Sequence, residues 1–153
     1  MNFTNLTTST TCSCLNGAKL DTTSLFARKV GKAKSLKDRD FKSYAEKGRE
    51  FNDKIQSCAN VCGILGLSID IWNDKSKEDI INRYKTTSAF SPKLKNHLSI
   101  LKFKENSGKV KHTPVKEPTP NKHHFDFYKS DEFVLDESIE LVELIPLIQS
   151  ANV

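Results

Sequence analysis

Long apolar runs are missing from this chain. The longest apolar-leaning stretch, Val61 to Trp72, is interrupted by cysteine, glycine, serine and aspartate. It falls short of the ~18 apolar residues that a membrane-spanning helix needs, so the expectation is a soluble protein with no membrane partner. Acids are nearly missing from residues 1–35, which hold eleven Ser/Thr and five Lys/Arg against the single acid Asp21. An apolar signal core is missing there too, so Asn2-Phe3-Thr4 and Asn5-Leu6-Thr7 read as accidental glycosylation sequons. That composition describes a flexible arm in an intracellular, cytoplasmic protein. The alternative is an organelle transit peptide, for plastid or mitochondrion.

Catalytic signatures are also missing. The chain has no Gly-x-Ser-x-Gly elbow, no Walker loop, no Gly-x-Gly-x-x-Gly turn and no His-Glu-x-x-His pair. The expectation is a protein that is not an enzyme and carries no cofactor. At 37% hydrophobic and 28% charged residues, a small core is possible but a large enzyme cavity is not.

Cysteine is sparse: Cys12, Cys14, Cys58 and Cys62. Without a secretory signal the expectation is reduced thiols in a reducing compartment. Cys58 and Cys62, four apart on a helix, would serve as small hydrophobes. Four thiolates on zinc is the competing arrangement, but the spacing departs from structural zinc sites and no metal is assigned. His112, His123 and His124 fall in a basic stretch and read as solvated side chains, as does His97 in a helix.

What is present is a change of charge sign. Residues 1–124 carry 23 Lys/Arg against 12 Asp/Glu, whereas residues 125–153 carry one lysine against seven acids. Phe41, Tyr44, Gly48, Phe51, Ile55, Cys58, Cys62 and Leu65 recur at alternating spacings of three and four, the seam of an amphipathic helix over 36–65. Leu67 to Trp72 alternates as a short strand or extended connection. A helix follows to about Lys85, started at Asp74 or Ser76, and another from Pro92 presents Leu94, Leu98, Ile100 and Leu101. From Asp136 a short helix carries Ile139, Leu141, Val142, Leu144 and Ile145, ended by Pro146.

The resulting expectation is a mainly α protein, a small helical bundle built on one long amphipathic helix. Residues 1–35 form the flexible arm, 36–103 the helical domain, 104–124 a basic Pro/His/Lys linker and 125–153 an acidic amphipathic tail. Function is expected to be binding: an RNA-binding accessory factor, or a protein–protein adaptor docking through the long helix and the tail. Lysine and arginine at 42, 47, 49, 54, 93, 95, 109 and 111 (Lys42, Lys47, Arg49, Lys54, Lys93, Lys95, Lys109, Lys111) would contact phosphates. Phe127, Phe133, Leu135, Ile139 and Val142 would contact a protein partner, and residues 36–65 could pair as a coiled-coil homodimer. In general character such a chain resembles viral or host-interaction regulatory proteins.

Overall fold

Strand alternation in His124-Phe125-Asp126-Phe127-Tyr128 puts phenylalanines on one face of a sheet and polar groups on the other. The same division runs through a six-stranded antiparallel sheet that organises the computed structural model, which describes residues 1–31, 35–86, 97–116 and 118–147. The strands are β1 (Leu25–Val30), β2 (Leu67–Trp72), β3 (His97–Phe103), β4 (Gly108–His112), β5 (His124–Lys129) and β6 (Ile139–Pro146). The helices are short: α1 (Thr4–Ser9), α2 (Cys58–Leu65), α3 (Lys77–Thr86) and the single turn α4 (Leu135–Ser138). Strand order is β4-β5-β2-β1-β3-β6. The expected helical bundle is therefore overturned: the protein is mainly β.

The sheet is coiled. Phe103 on β3 stacks on Phe127 of β5 with ring centroids 4.0 Å apart, although β1 and β2 lie between those strands. Three strand spacings in a flat sheet would separate them by roughly 14 Å. Phe26 bridges the gap, 5.5 Å from Phe103 and 5.5 Å from Phe125. With Leu67, Ile69 and Leu101 these rings form the inner core. Gly108, at φ +155°, lets β4 close onto β5; a Cβ there would sit 2.0 Å from the Tyr128 carbonyl oxygen.

Each failed helix has a local cause. Across 36–65, Ser43 and Glu46 exchange hydrogen bonds between side chain and backbone, starting one turn. Gly48 at φ +99° ends it, and Asn52 bonds the Lys54 amide in a further turn. Ser57 then caps α2 afresh by accepting from the Asn60 amide. The seam is thus broken, Ile55 is 82% exposed, and no coiled coil forms there. In β3, Leu98 and Ile100 pack under α3 while Leu101 and Phe103 face the inner core. Burial on both faces makes a strand read as a continuous apolar run. In β6 a register shift leaves Val142 without a partner between Leu141 and Glu143. That bulge breaks the two-residue alternation and produces the apparent helical period.

The arm and the stretch read as a linker are both built into the structure. Phe3, Leu6 and Cys14 pack on Tyr128, Lys19 pairs with Val110 on β4, and Asp131 accepts from the Thr4 amide. Residues 104–124 contain β4, a bridge between Val115 and Asn121, and the start of β5. The cysteines are not reduced: Cys12 bonds Cys58 and Cys14 bonds Cys62, leaving no free thiol among the described residues. Two bridges four residues apart or less fasten the arm to α2, with Cys14 only 2% exposed.

The long loop of 46 residues between Cys12 and Cys58 makes closure worth roughly 4 kcal/mol by chain entropy. Once one bridge exists, the other closes only a small ring worth roughly 2.5 kcal/mol. Replacing either pair with alanine is expected to lower unfolding free energy by about 2.5 kcal/mol. Replacing both is expected to lower it by more than the sum, as read by urea unfolding of the three variants.

Candidate functional site

The inner face of the coiled sheet is filled with aromatic side chains, so a site must lie on its outer face. Two separate covers protect that face. Over β1, β2 and β3, α3 buries Ala27, Trp72, Ile80, Leu98 and Ile100. Over β5, the disulfide-bound arm and α2 bury Tyr128. Beside the second cover lies a cleft of about 910 Å³, walled by α2 and the Cys12–Cys58 bridge and floored by polar residues of β4, β5 and β2.

Pairing register assembles that floor. Asp126 of β5 stands opposite Ser68 of β2 on one side and Lys111 of β4 on the other. His124, two residues before Asp126, projects on the same face. Its Nε2 is 3.1 Å from the exposed Ser68 hydroxyl, and its Nδ1 is 2.8 Å from the Thr113 carbonyl and 3.0 Å from the Thr113 hydroxyl. From the strand on the other side of β2, Arg28 donates to the Ser68 carbonyl at 2.7 Å and fixes the backbone beneath that hydroxyl.

Two carboxylates are buried on this outer face, and they differ in one respect. Asp70 is satisfied: Oδ1 accepts from Asn121 at 2.7 Å and Oδ2 from the Tyr84 hydroxyl at 3.1 Å. Asp126, 5% exposed and lining the cleft, has one oxygen, Oδ1, with no partner. Burial pushes its carboxyl above the ordinary aspartate range, against the opposing pull of His124, a Thr113 hydrogen bond and Lys111. An orphaned buried polar atom costs about 1–3 kcal/mol.

Of the residues expected to contact nucleic acid, the described ones fall in two separate groups. Lys42, Lys47, Arg49 and Lys54 are exposed on the irregular segment before α2, with Lys47 and Arg49 over the Tyr44 ring. Lys93 and Lys95 lie outside the described residues. Lys109 and Lys111 share the outer face of β4, Lys109 above the Phe3 ring and Lys111 in the cleft. Among the residues expected to meet a protein partner, Phe127, Leu135 and Ile139 belong to the inner core and Phe133 packs against it. Val142, at the bulge, is half exposed. Among the described residues, no group of three His, Cys, Asp or Glu could hold a metal ion, and no helix is long and apolar enough to cross a membrane.

Ser68, Thr113, His124 and Asp126 were beyond the reach of motif reading, because Ser68 comes from β2, His124 and Asp126 from β5, and Thr113 from the loop after β4. The available signal was the alternation of His124, Asp126 and Tyr128 with Phe125 and Phe127. No protein-family model, curated protein or solved structure matches the chain. The comparisons thus lend no support to an RNA-binding or viral character, and the helical, coiled-coil description is corrected by the sheet.

An acid whose pKa is raised on folding keeps its proton to higher pH in the folded state than in the unfolded chain. Its contribution is therefore full below the ordinary carboxylate range and declines as pH rises toward the elevated folded value. Asp126→Asn is expected to remove that decline. The variant should match the parent near pH 3 and be the more stable of the two at pH 7 in urea unfolding. A variant less stable at pH 7 would contradict the assignment of burial as the dominant influence on Asp126.

Proposed function

We propose that the protein is a small binding protein of an oxidising compartment, and that the cleft beside α2 takes an uncharged, hydroxyl-rich ligand of the saccharide class. The observation that carries this reading is Asp126, buried at the cleft floor with one carboxylate oxygen unpartnered. Lys111, facing it across β4 and β5, offsets its charge, so the floor does not call for an ion. Ser68, Thr113 and Asn60 add groups that both donate and accept. A sugar hydroxyl does the same, and can donate to Asp126 while accepting from Lys111.

The two bridges support the choice of compartment, since such disulfides persist where thiols are not kept reduced. There the sequons at Asn2 and Asn5, both with exposed side chains, become meaningful acceptors for N-linked glycans rather than accidents of composition.

Titration of the oxidised full chain with a panel of mono- and disaccharides, followed by amide chemical shifts, tests the reading. Millimolar sugar is expected to move the amides of Ser68, Lys111, Thr113, His124 and Asp126, and Asp126→Asn is expected to weaken binding about tenfold, the equivalent of one charge-assisted hydrogen bond. Absence of any response across the panel, or shifts confined to another surface, would overturn it.

A further inference from the structure

We propose that Ser68 and His124 form a hydroxyl–imidazole dyad competent for acyl transfer, so that the cleft cleaves small acyl esters as well as binding their alcohols. The choice of a hydroxyl-rich alcohol rests on the ligand reading above; the dyad itself rests on independent geometry.

Three contacts define it. Ser68 Oγ is exposed at the cleft and 3.1 Å from His124 Nε2. His124 Nδ1 faces two acceptors on one residue, the Thr113 carbonyl at 2.8 Å and its hydroxyl at 3.0 Å. A carbonyl can only accept, so Nδ1 carries the proton and Nε2 presents its lone pair to the Ser68 hydroxyl. The third element is Asp126, on the same face of β5 as His124 and opposite Ser68 in the strand pairing, lining the same cleft. Nucleophile (Ser68), base (His124) and orienting group (Thr113) thus stand in sequence, the arrangement that activates a hydroxyl, assembled here from β2, β5 and the loop after β4.

The same cleft supplies positive charge for an oxyanion. Lys111 lines it, as does the first turn of α2, whose amides and dipole point outward from its start. Ser68 itself is held against recoil by its neighbours, with its carbonyl bonded by Arg28.

The reaction balances without a further reagent. Ser68 Oγ forms a bond to the ester carbonyl carbon as Nε2 takes the hydroxyl proton. The tetrahedral oxyanion collapses, the carbon–alkoxy bond breaks, and the imidazolium returns the proton to the leaving alcohol. Water then attacks the acylated Ser68, giving its proton to Nε2. The second tetrahedral oxyanion collapses, the bond between the acyl carbon and Ser68 Oγ breaks, and the imidazolium returns the proton to Oγ as the carboxylic acid leaves.

The test uses the oxidised full chain with two probes, an alkyl fluorophosphonate and 4-nitrophenyl acetate. Peptide mass spectrometry is expected to find one phosphonyl adduct, on Ser68, absent from Ser68→Ala and His124→Gln and retained in His123→Ala. His123 is a suitable control because it pairs with Asp79 near α3, away from the dyad. Hydrolysis of 4-nitrophenyl acetate is expected to fall at least 100-fold in Ser68→Ala, the usual span for losing an activated nucleophile and its base. Ser68 is exposed, so that variant retains the fold and its saccharide titration can be run beside the labelling. No adduct, adducts scattered over other hydroxyls, or turnover unchanged in Ser68→Ala would each overturn the dyad. Sugar binding that persists in that case would leave the binding reading standing, whereas labelling at Ser68 without sugar binding would remove only the choice of alcohol.

Discussion

The contact between Phe103 and Phe127 is the constraint on which the rest of the structure depends. It requires β3 and β5 to face one another, and so requires the sheet to coil. Coiling gives the sheet one inner face, filled in large part by Phe26, Phe41, Phe103, Phe125, Phe127 and Phe133. It also creates a convex outer face too wide for any single short helix. The chain covers that face twice, with α3 over β1 and β3 and with the arm and α2 over β5. The polar floor beside the second cover follows from this division.

The disulfides act on the second cover alone. Its apolar contacts are modest, consisting of Phe3, Leu6 and Leu15 of the arm around Tyr128. Burial of so few side chains would hold a terminal segment weakly, and termini ordinarily fray. Two bridges replace the missing apolar contacts, and Asp53, accepting from the Thr11 amide and the Thr10 hydroxyl, adds polar ones. The wall of the cleft is thereby fixed relative to Ser68, His124 and Asp126. Oxidation state and site geometry are consequently linked in this protein.

Some of this was legible in the residues. The alternation of Leu67, Ile69 and Ile71 marks β2, and the acids Glu78 and Asp79 open α3 where a helix dipole favours them. The rest was hidden by identifiable causes. Apolar spacing over 36–65 matched a helix seam, but spacing carries no information about Gly48 turning left-handed or about bridges pulling Cys58 and Cys62 toward the arm. Val142, an extra residue in β6, disguised a strand as a helix. The charge reversal near residue 125 has a structural counterpart: Glu140 stands opposite Lys102 and Asp126 opposite Lys111. Acids late in the chain are register partners of earlier bases. The candidate site was invisible because its members are distant in sequence and are neighbours only through the order β4-β5-β2.

Through-space proton contacts between aromatic rings test the coiled sheet most directly. Selective labelling of phenylalanine and a nuclear Overhauser experiment on the oxidised protein should show strong cross-peaks between Phe103 and Phe127, and between Phe26 and Phe125. Residues 42–57 should show no continuous helical series of contacts. Absence of the Phe103–Phe127 cross-peak, together with an unbroken helical series through residues 36–65, would contradict the account at its foundation.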